Sequence, residues 1–334
     1  MTLMEHEARE APDAVARFLD TNGNALAALA RRLRDNPPSV ILTAARGSSD
    51  HAATYFKYLV EILLGVPCAS IGASVASVWH SELKLNNAVC VTISQSGQSP
   101  DIVSLQEAAR KAGALTVALV NQPGSRAEQG ADFFLPLCAG EEKSVAATKS
   151  FIASLAASAA IAAQWKQDQA LITALQALPA KLARAAQLQW PGFQARAKMA
   201  QSLYVLGRGP GLAIALEAAL KMKETCALHA EALSFAEVMH GPLELVRPHF
   251  PILAFSPDDA SRDLAKQALE RLRKAGADVF AVEDGGLPHE PAGHALLEPI
   301  SIIQSAYLNI EPLARALGRN PDAPRLLSKV TETV

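Results

Sequence analysis

AVCVTISQSGQSPD, residues 88–101, is the stretch that decides how the chain is organised. Its first half, residues 89–93, is a short apolar run dominated by β-branched side chains and bounded by turn formers. That is the pattern of a strand buried on both faces of a parallel sheet. The run breaks into Ser94-Gln95-Ser96-Gly97-Gln98-Ser99, and Pro100 and Asp101 stand where a helix would begin, proline being suited to a first helical turn. Hydroxyls between a strand and a helix N-terminus offer O–H donors, backbone N–H groups and the positive end of the helix dipole to one anion. Gly97 lets the backbone come close. No Walker lysine accompanies the loop, so a monophosphate suits it better than a nucleoside triphosphate. An ordinary serine-rich turn would look the same in isolation, and the rest of the chain has to separate the two.

The same strand–loop–helix rhythm extends outward from this stretch. Residues 4–35 carry apolar side chains at helical spacing until Pro37-Pro38 ends them. Residues 39–45 read as a strand entering Arg46-Gly47-Ser48-Ser49, with a helix over 51–64. A short strand over 67–71 and a helix over 74–83 precede the central strand, and a helix over 101–112 follows it. Strands over 114–120 and 133–137 come next, then an Ala-rich helical region to about residue 189. Alternation of this kind predicts a doubly wound parallel sheet with ligands at the C-terminal ends of its strands.

The second half repeats the first. VILTAARG (40–47) matches SLYVLGRG (202–209), 162 residues further on. The strand ending at Ser94 matches one over 251–256 at the same offset, and RKAGA (110–114) recurs letter for letter at 273–277. Three blocks in register predict two copies of one α/β domain, each a three-layer, flavodoxin-like α-β-α sandwich. The expected division is an N-terminal helical segment (1–35), a first domain (36–190) and a second domain with a C-terminal tail (191–334), with the boundary near Trp190-Pro191-Gly192. In the second copy the cradle position reads Ser256-Pro257-Asp258-Asp259, whose acids would repel phosphate. Only the first copy should hold one.

Composition narrows the partners. Half of the 334 residues are hydrophobic, 19% are charged and the net charge is −2 without a long basic block, which argues against nucleic acid or an anionic membrane. Cys68, Cys90, Cys138 and Cys226 are widely spaced among apolar residues, the pattern of buried reduced thiols in a cytoplasmic protein. The N-terminus lacks an apolar signal core, and the apolar stretch 152–165, interrupted by Ser154 and Ser158, is too short to span a bilayer comfortably.

The second informative stretch is LEAALKMKETCALHAEALSFAEVMHGPLE, residues 216–244. Glu217, Lys221 and Glu224 lie four and three residues apart on one helical face. By spacing alone they are an ordinary solvated Glu–Lys pair, worth about 0.3–0.5 kcal/mol. His240-Gly241-Pro242 places a histidine on a tight turn, and Lys329 sits near the C-terminus, where a lysine is normally just solvated.

Taken in order, SQSGQS, SVAATKSF (144–151), LGRGPGLAIALEAALKMKE, HAEALSFAEVMHGP and LLSKV resemble the tandem sugar-isomerase (SIS) domain proteins over nearly the whole chain. The likeness is to the isomerase half of glucosamine-6-phosphate synthase and to the isomerising glucosamine-6-phosphate deaminases. The resemblance implies a phosphate loop at Ser94, Gln95, Ser96 and Ser99 with Ser48, and sugar contacts at Gly47, Ser49, Val145 and Ala147. It also implies an acid–base glutamate at Glu224, an active-site lysine at Lys221, a ring-opening histidine at His240 and an imine-forming lysine at Lys329. No cofactor or metal is implied. The implied ligand is a sugar phosphate, and the implied assembly is a homodimer in which the histidine is contributed across the interface.

The residue types suit the reaction. Aldose–ketose interconversion needs one base to move a proton between C2 and C1, a histidine can open the ring, and a lysine can stabilise the enediolate or carry the carbonyl as an imine. The phosphate is a remote handle that positions carbons it never reacts with. Ala147, where the synthases often have Ser, Gln98-Ser99 in place of Glu-Thr, and the tail after Lys329 depart from the pattern. The chain begins MTLMEHEARE, with no catalytic first-residue cysteine, so deamination of glucosamine 6-phosphate to fructose 6-phosphate and ammonia is the expected direction. The rival expectations are the isomerase part of an aminotransferase, another SIS isomerase or deglycase, and a non-catalytic sugar-phosphate sensor. A sensor would need the cradle but not Glu224, His240 and Lys221 together.

Overall fold

The structure is a computed structural model that describes residues 1–256, 258–283 and 285–329. In chain order it begins with α1 (Leu3–Arg9), α2 (Ala11–Asp35), β1 (Val40–Ala44) and α3 (Ser48–Leu64). Next come β2 (Cys68–Ser70), α4 (Ser74–Ser77), β3 (Ala88–Ser94), α5 (Pro100–Lys111) and β4 (Leu115–Val120). After α6 (Arg126–Gln129) and β5 (Phe133–Pro136) follow α7 (Lys149–Lys166), α8 (Gln169–Ala185) and α9 (Pro191–Ala197). The remainder is β6 (Ser202–Gly207), α10 (Pro210–Cys226), β7 (His229–Ser234), β8 (Pro251–Phe255), α11 (Arg262–Lys274), β9 (Asp278–Val282) and α12 (Glu298–Ala316).

One compact unit contains residues 13–142 and 149–176. Its sheet has the order β2-β1-β3-β4-β5 with every pair parallel, the flavodoxin-like arrangement expected from the sequence. Strand β3 is buried along residues 88–93, as its unbroken apolar run requires. Strand order reverses between β1 and β3, so the loops leaving these two strands flank the crevice where such folds bind ligands. Helix α7 is apolar nearly all round and almost entirely buried. Ser154 and Ser158 survive inside it because each hydroxyl donates to the carbonyl four residues back, at 2.8 and 2.7 Å.

The other unit contains residues 1–12, 143–148 and 177–329. Its parallel sheet has the order β7-β6-β8-β9, so β6, β8 and β9 repeat the roles of β1, β3 and β4. The repeat extends to backbone torsions. Gly47 and Gly209, which precede α3 and α10, both sit at φ +54°, with ψ of −131° and −134°. Such a left-handed conformation favours glycine, which is why both copies of the block end in Arg-Gly. In this unit α1 joins α12, and Trp190, at the expected boundary, is fully buried with its indole N–H on the Pro288 carbonyl.

Two expectations need correction. The helix foreseen over 74–83 is a single turn, Ser74–Ser77. Val78 and Trp79 beyond it are exposed and His80 turns to φ +48°, so no apolar face holds a longer helix. The Ala-rich region is helical as expected, in two segments, because Gln167 adopts φ +60° and Asp168 accepts the Leu171 N–H to start α8. Cys138 is half-buried and not buried like the other three cysteines, all four being free thiols. Among the described residues no helix is long and apolar enough to cross a membrane.

Candidate active site

In the β1–β5 unit the cradle loop closes on itself. Ser94 Oγ accepts the Gly97 N–H at 2.9 Å and Ser96 Oγ accepts the Gln98 N–H at 3.3 Å. Ser94, Gln95, Ser96 and Ser99 are all half-buried. Gly97 has φ +63°, and a Cβ there would lie 2.7 Å from Val120 Cγ1 and from Ser125 Cβ, so no other residue fits. Ser99 is the N-cap of α5 without using its hydroxyl as a cap, and Pro100 takes the first helical position. Within the first turn the Ile102 N–H is taken by Asp101 Oδ1 at 2.8 Å.

Arg46, on the loop after β1, holds this helix. Its Nε and Nη2 lie 3.0 and 2.8 Å from Asp101 Oδ2, whose side chain is buried, while Asp101 Oδ1 accepts the Ile102 N–H. The pair spans the crevice mouth between β1 and β3, beside Gly47, Ser48 and Ser49 at the start of α3. Sequence reading missed Arg46, Asp101 and Asn121. Asn121 ties the ends of β4 and β5 by donating to the Gly140 carbonyl and accepting the Ala139 N–H. An Asn directly after a strand is the only sequence signal for it.

The β6–β9 unit carries the acid–base candidates. On α10, Lys221 is 1% exposed, with Nζ 2.5 Å from Glu224 Oε2 and 3.4 Å from Glu217 Oε1. Glu217 is fully buried and accepts the Tyr307 hydroxyl at 3.0 Å, whereas Glu224 keeps about a fifth of its side chain exposed (21%). The solvated-pair expectation for this face is overturned, because neighbouring helix α12 covers it. Burial by itself pushes the Lys221 ammonium down, but Glu217 and then Glu224 outweigh it and hold the group above its usual range. The result is a buried cation with one anchored carboxylate and one accessible carboxylate.

Lys329 is not simply solvated either. Its Nζ donates to the Ser144 carbonyl at 2.7 Å. Residues 143–148, which include the half-buried Val145 and Ala147, are held from the N-terminus by the buried Glu7. Glu7 Oε1 accepts the Lys143 N–H at 2.5 Å and Oε2 the Ser144 N–H at 3.1 Å. Nothing local in the sequence announces this contact. His240 is exposed, at the end of the short 3-10 turn Glu237–Met239 and just before Gly241-Pro242. The altered tail after Lys329 lies outside the described residues. Burial pushes the Cys68 and Cys90 thiols up to about 12 and that of Cys226 up to about 11, which makes them poor nucleophiles. Among the described residues no cluster of His, Cys, Asp or Glu could hold a metal ion.

Residues 37–164 and 198–286 match the SIS domain family, and the chain belongs to it. It is 33% identical over 312 residues to the isomerising glutamine–fructose-6-phosphate aminotransferase of Aeropyrum pernix, a match that takes in 86% of this chain and 50% of that protein. The chain thus spans about half the length of the curated relatives it matches. Among solved structures it superimposes on a Silicibacter pomeroyi DSS-3 protein provisionally named a phosphosugar isomerase, with TM-score 0.93 and 44% identity over 96% of this chain and 100% of that one. The C-terminal domain of the Francisella tularensis glucosamine-fructose-6-phosphate aminotransferase gives TM-score 0.83 at 26% identity, over 96% and 98% of the two chains.

Proposed function

We propose that this chain is an isomerising glucosamine-6-phosphate deaminase, converting glucosamine 6-phosphate and water into fructose 6-phosphate and ammonia. The observation that carries the reading is the accessible Glu224 carboxylate paired to the fully buried Lys221 ammonium, a base next to a fixed positive charge. In this reading Ser94, Gln95, Ser96, Ser99 and Ser48 hold the phosphate against the start of α5, and Gly47, Ser49, Val145 and Ala147 line the sugar. His240, supplied by the second subunit of a homodimer, opens the ring. Glu224 then removes the C2 proton and returns it to C1, giving a C2 imine while Lys221 offsets the charge on the enolic oxygen. Lys329, as the free amine, adds to that carbon and expels ammonia, and water then adds to the resulting lysine imine, releasing fructose 6-phosphate and the lysine. A cytoplasmic location accords with the free thiols.

Run backwards with ammonia, the same steps make glucosamine 6-phosphate. This second reading, the isomerase part of an aminotransferase, is favoured by the name of the 33% identical relative. The test follows ammonia and fructose 6-phosphate together from glucosamine 6-phosphate. Equal release of both supports deamination, whereas no ammonia from glucosamine 6-phosphate together with conversion of an amine-free aldose phosphate into its ketose points to a plain isomerase. Sugar-phosphate binding without turnover supports a sensor and overturns the proposal.

A further inference from the structure

Ser144 has every backbone polar group committed. Its N–H goes to Glu7 Oε2 at 3.1 Å and its carbonyl receives Lys329 Nζ at 2.7 Å. Its side chain is fully buried, yet among the described residues Oγ has no hydrogen-bond partner. A buried hydroxyl left unsatisfied costs about 1–3 kcal/mol, and removing it from a site with no use for it should be neutral or stabilising. Other buried hydroxyls are also unsatisfied, but Ser144 is set apart by carrying a lysine ammonium on its own carbonyl.

We infer that the Ser144 hydroxyl is a ligand-directed group that hydrogen-bonds an oxygen at the carbonyl end of an open-chain sugar phosphate, beside Lys329. The inference rests on the proposed function and adds a contact to its sugar site. The loop is suited to this because the Glu7 carboxylate, buried on α1, fixes the backbone on either side of the Lys143–Ser144 peptide. The backbone at Ser144 is therefore fixed, and in this proposal a turn of the side chain alone presents the buried hydroxyl to an oxygen that reaches the Lys329 ammonium. Preorganisation of this kind makes a single hydroxyl discriminate between sugars that carry a polar group there and analogues that lack it.

The test measures thermal unfolding and ligand affinity of the full chain and its Ser144→Ala variant with fructose 6-phosphate, glucosamine 6-phosphate and inorganic phosphate as probes. The expected result has three parts. The unliganded variant melts at or above the parent temperature, its affinity for both sugar phosphates falls about 5–30-fold, and its affinity for inorganic phosphate is unchanged. Unchanged sugar-phosphate affinity overturns the inference while leaving the proposed function intact. Equal weakening toward inorganic phosphate also overturns it, because the substitution would then be acting through the fold. If the parent chain binds neither sugar phosphate, the inference falls together with the reading it rests on. Should the alanine variant fail to fold, Ser144→Cys, close in shape and a weak hydrogen-bonder, gives the same readouts.

Discussion

Lys221 Nζ lies 2.5 Å from Glu224 Oε2 and only 3.4 Å from Glu217 Oε1, in a helix face closed over by α12. Two carboxylates and one ammonium share this space, and the geometry divides their work. Glu217 is locked by Tyr307 and fully buried, so it neutralises Lys221, while Glu224 alone reaches solvent. Lys221→Met should therefore cost about 3–5 kcal/mol, because it leaves the Glu217 carboxylate buried without its counter-charge. Denaturant unfolding checks this, and a loss below about 1 kcal/mol would contradict a buried charged cluster.

The same group sets a pH dependence. The Lys221 ammonium is raised above its ordinary value of 10.5, so its contribution to stability is fully present below that pH and disappears as pH climbs through the raised folded value. Stability measured across the neutral range should show no step from this group, with a decline only in strongly alkaline solution. In Lys221→Met that alkaline decline should shrink.

Gly97→Ala tests the cradle. The added Cβ meets Val120 and Ser125 and the residue must hold φ +63°, so the substitution should cost about 1–3 kcal/mol. It should also weaken inorganic phosphate binding, since the loop has to open to accommodate it. Isothermal titration of phosphate alongside unfolding separates the two effects.

Arg46→Met removes one partner of the buried Asp101 but leaves its bond from the Ile102 N–H and its place at the start of α5. With Arg46 about half exposed (52%), screening limits the loss to about 1–2 kcal/mol. Phosphate affinity should fall more than stability does, as the loops flanking the crevice lose their tie.

Glu7→Ala deletes two charge-assisted hydrogen bonds to the Lys143 and Ser144 N–H groups and should cost about 2–4 kcal/mol. Hydrogen exchange at those two amides, protected in the parent chain, should become fast.

Much of this fold is legible because its signals are local. Parallel strands buried on both faces are continuous apolar runs, and 89–93 could hardly be anything else. The repeat is visible because the backbone demands it. Gly113 and Gly276, in the two RKAGA blocks, sit at φ +89° and +92°, as closely matched as Gly47 and Gly209. The site is only half legible. Spacing puts Glu217, Lys221 and Glu224 on one face, but the same spacing serves a solvated pair, and only the packing of α12 decides which it is. The Glu7 anchor joins residues 136 and 137 positions apart, beyond the reach of any local pattern. The shortness of α4 was hidden for a different reason. Residues 78–83 have an acceptable helical composition, but 78–82 are exposed and Leu83 packs only partly against the core, so no continuous apolar face fixes a longer helix.

The central claim is that Glu224 moves the proton. The most direct measurement is turnover of glucosamine 6-phosphate by Glu224→Gln beside the parent chain, with sugar-phosphate affinity determined for both. The account predicts that kcat falls by about 10²-fold or more while affinity stays within a few-fold, because the amide keeps the shape and loses the base. Turnover by the variant at close to the parent rate would contradict it.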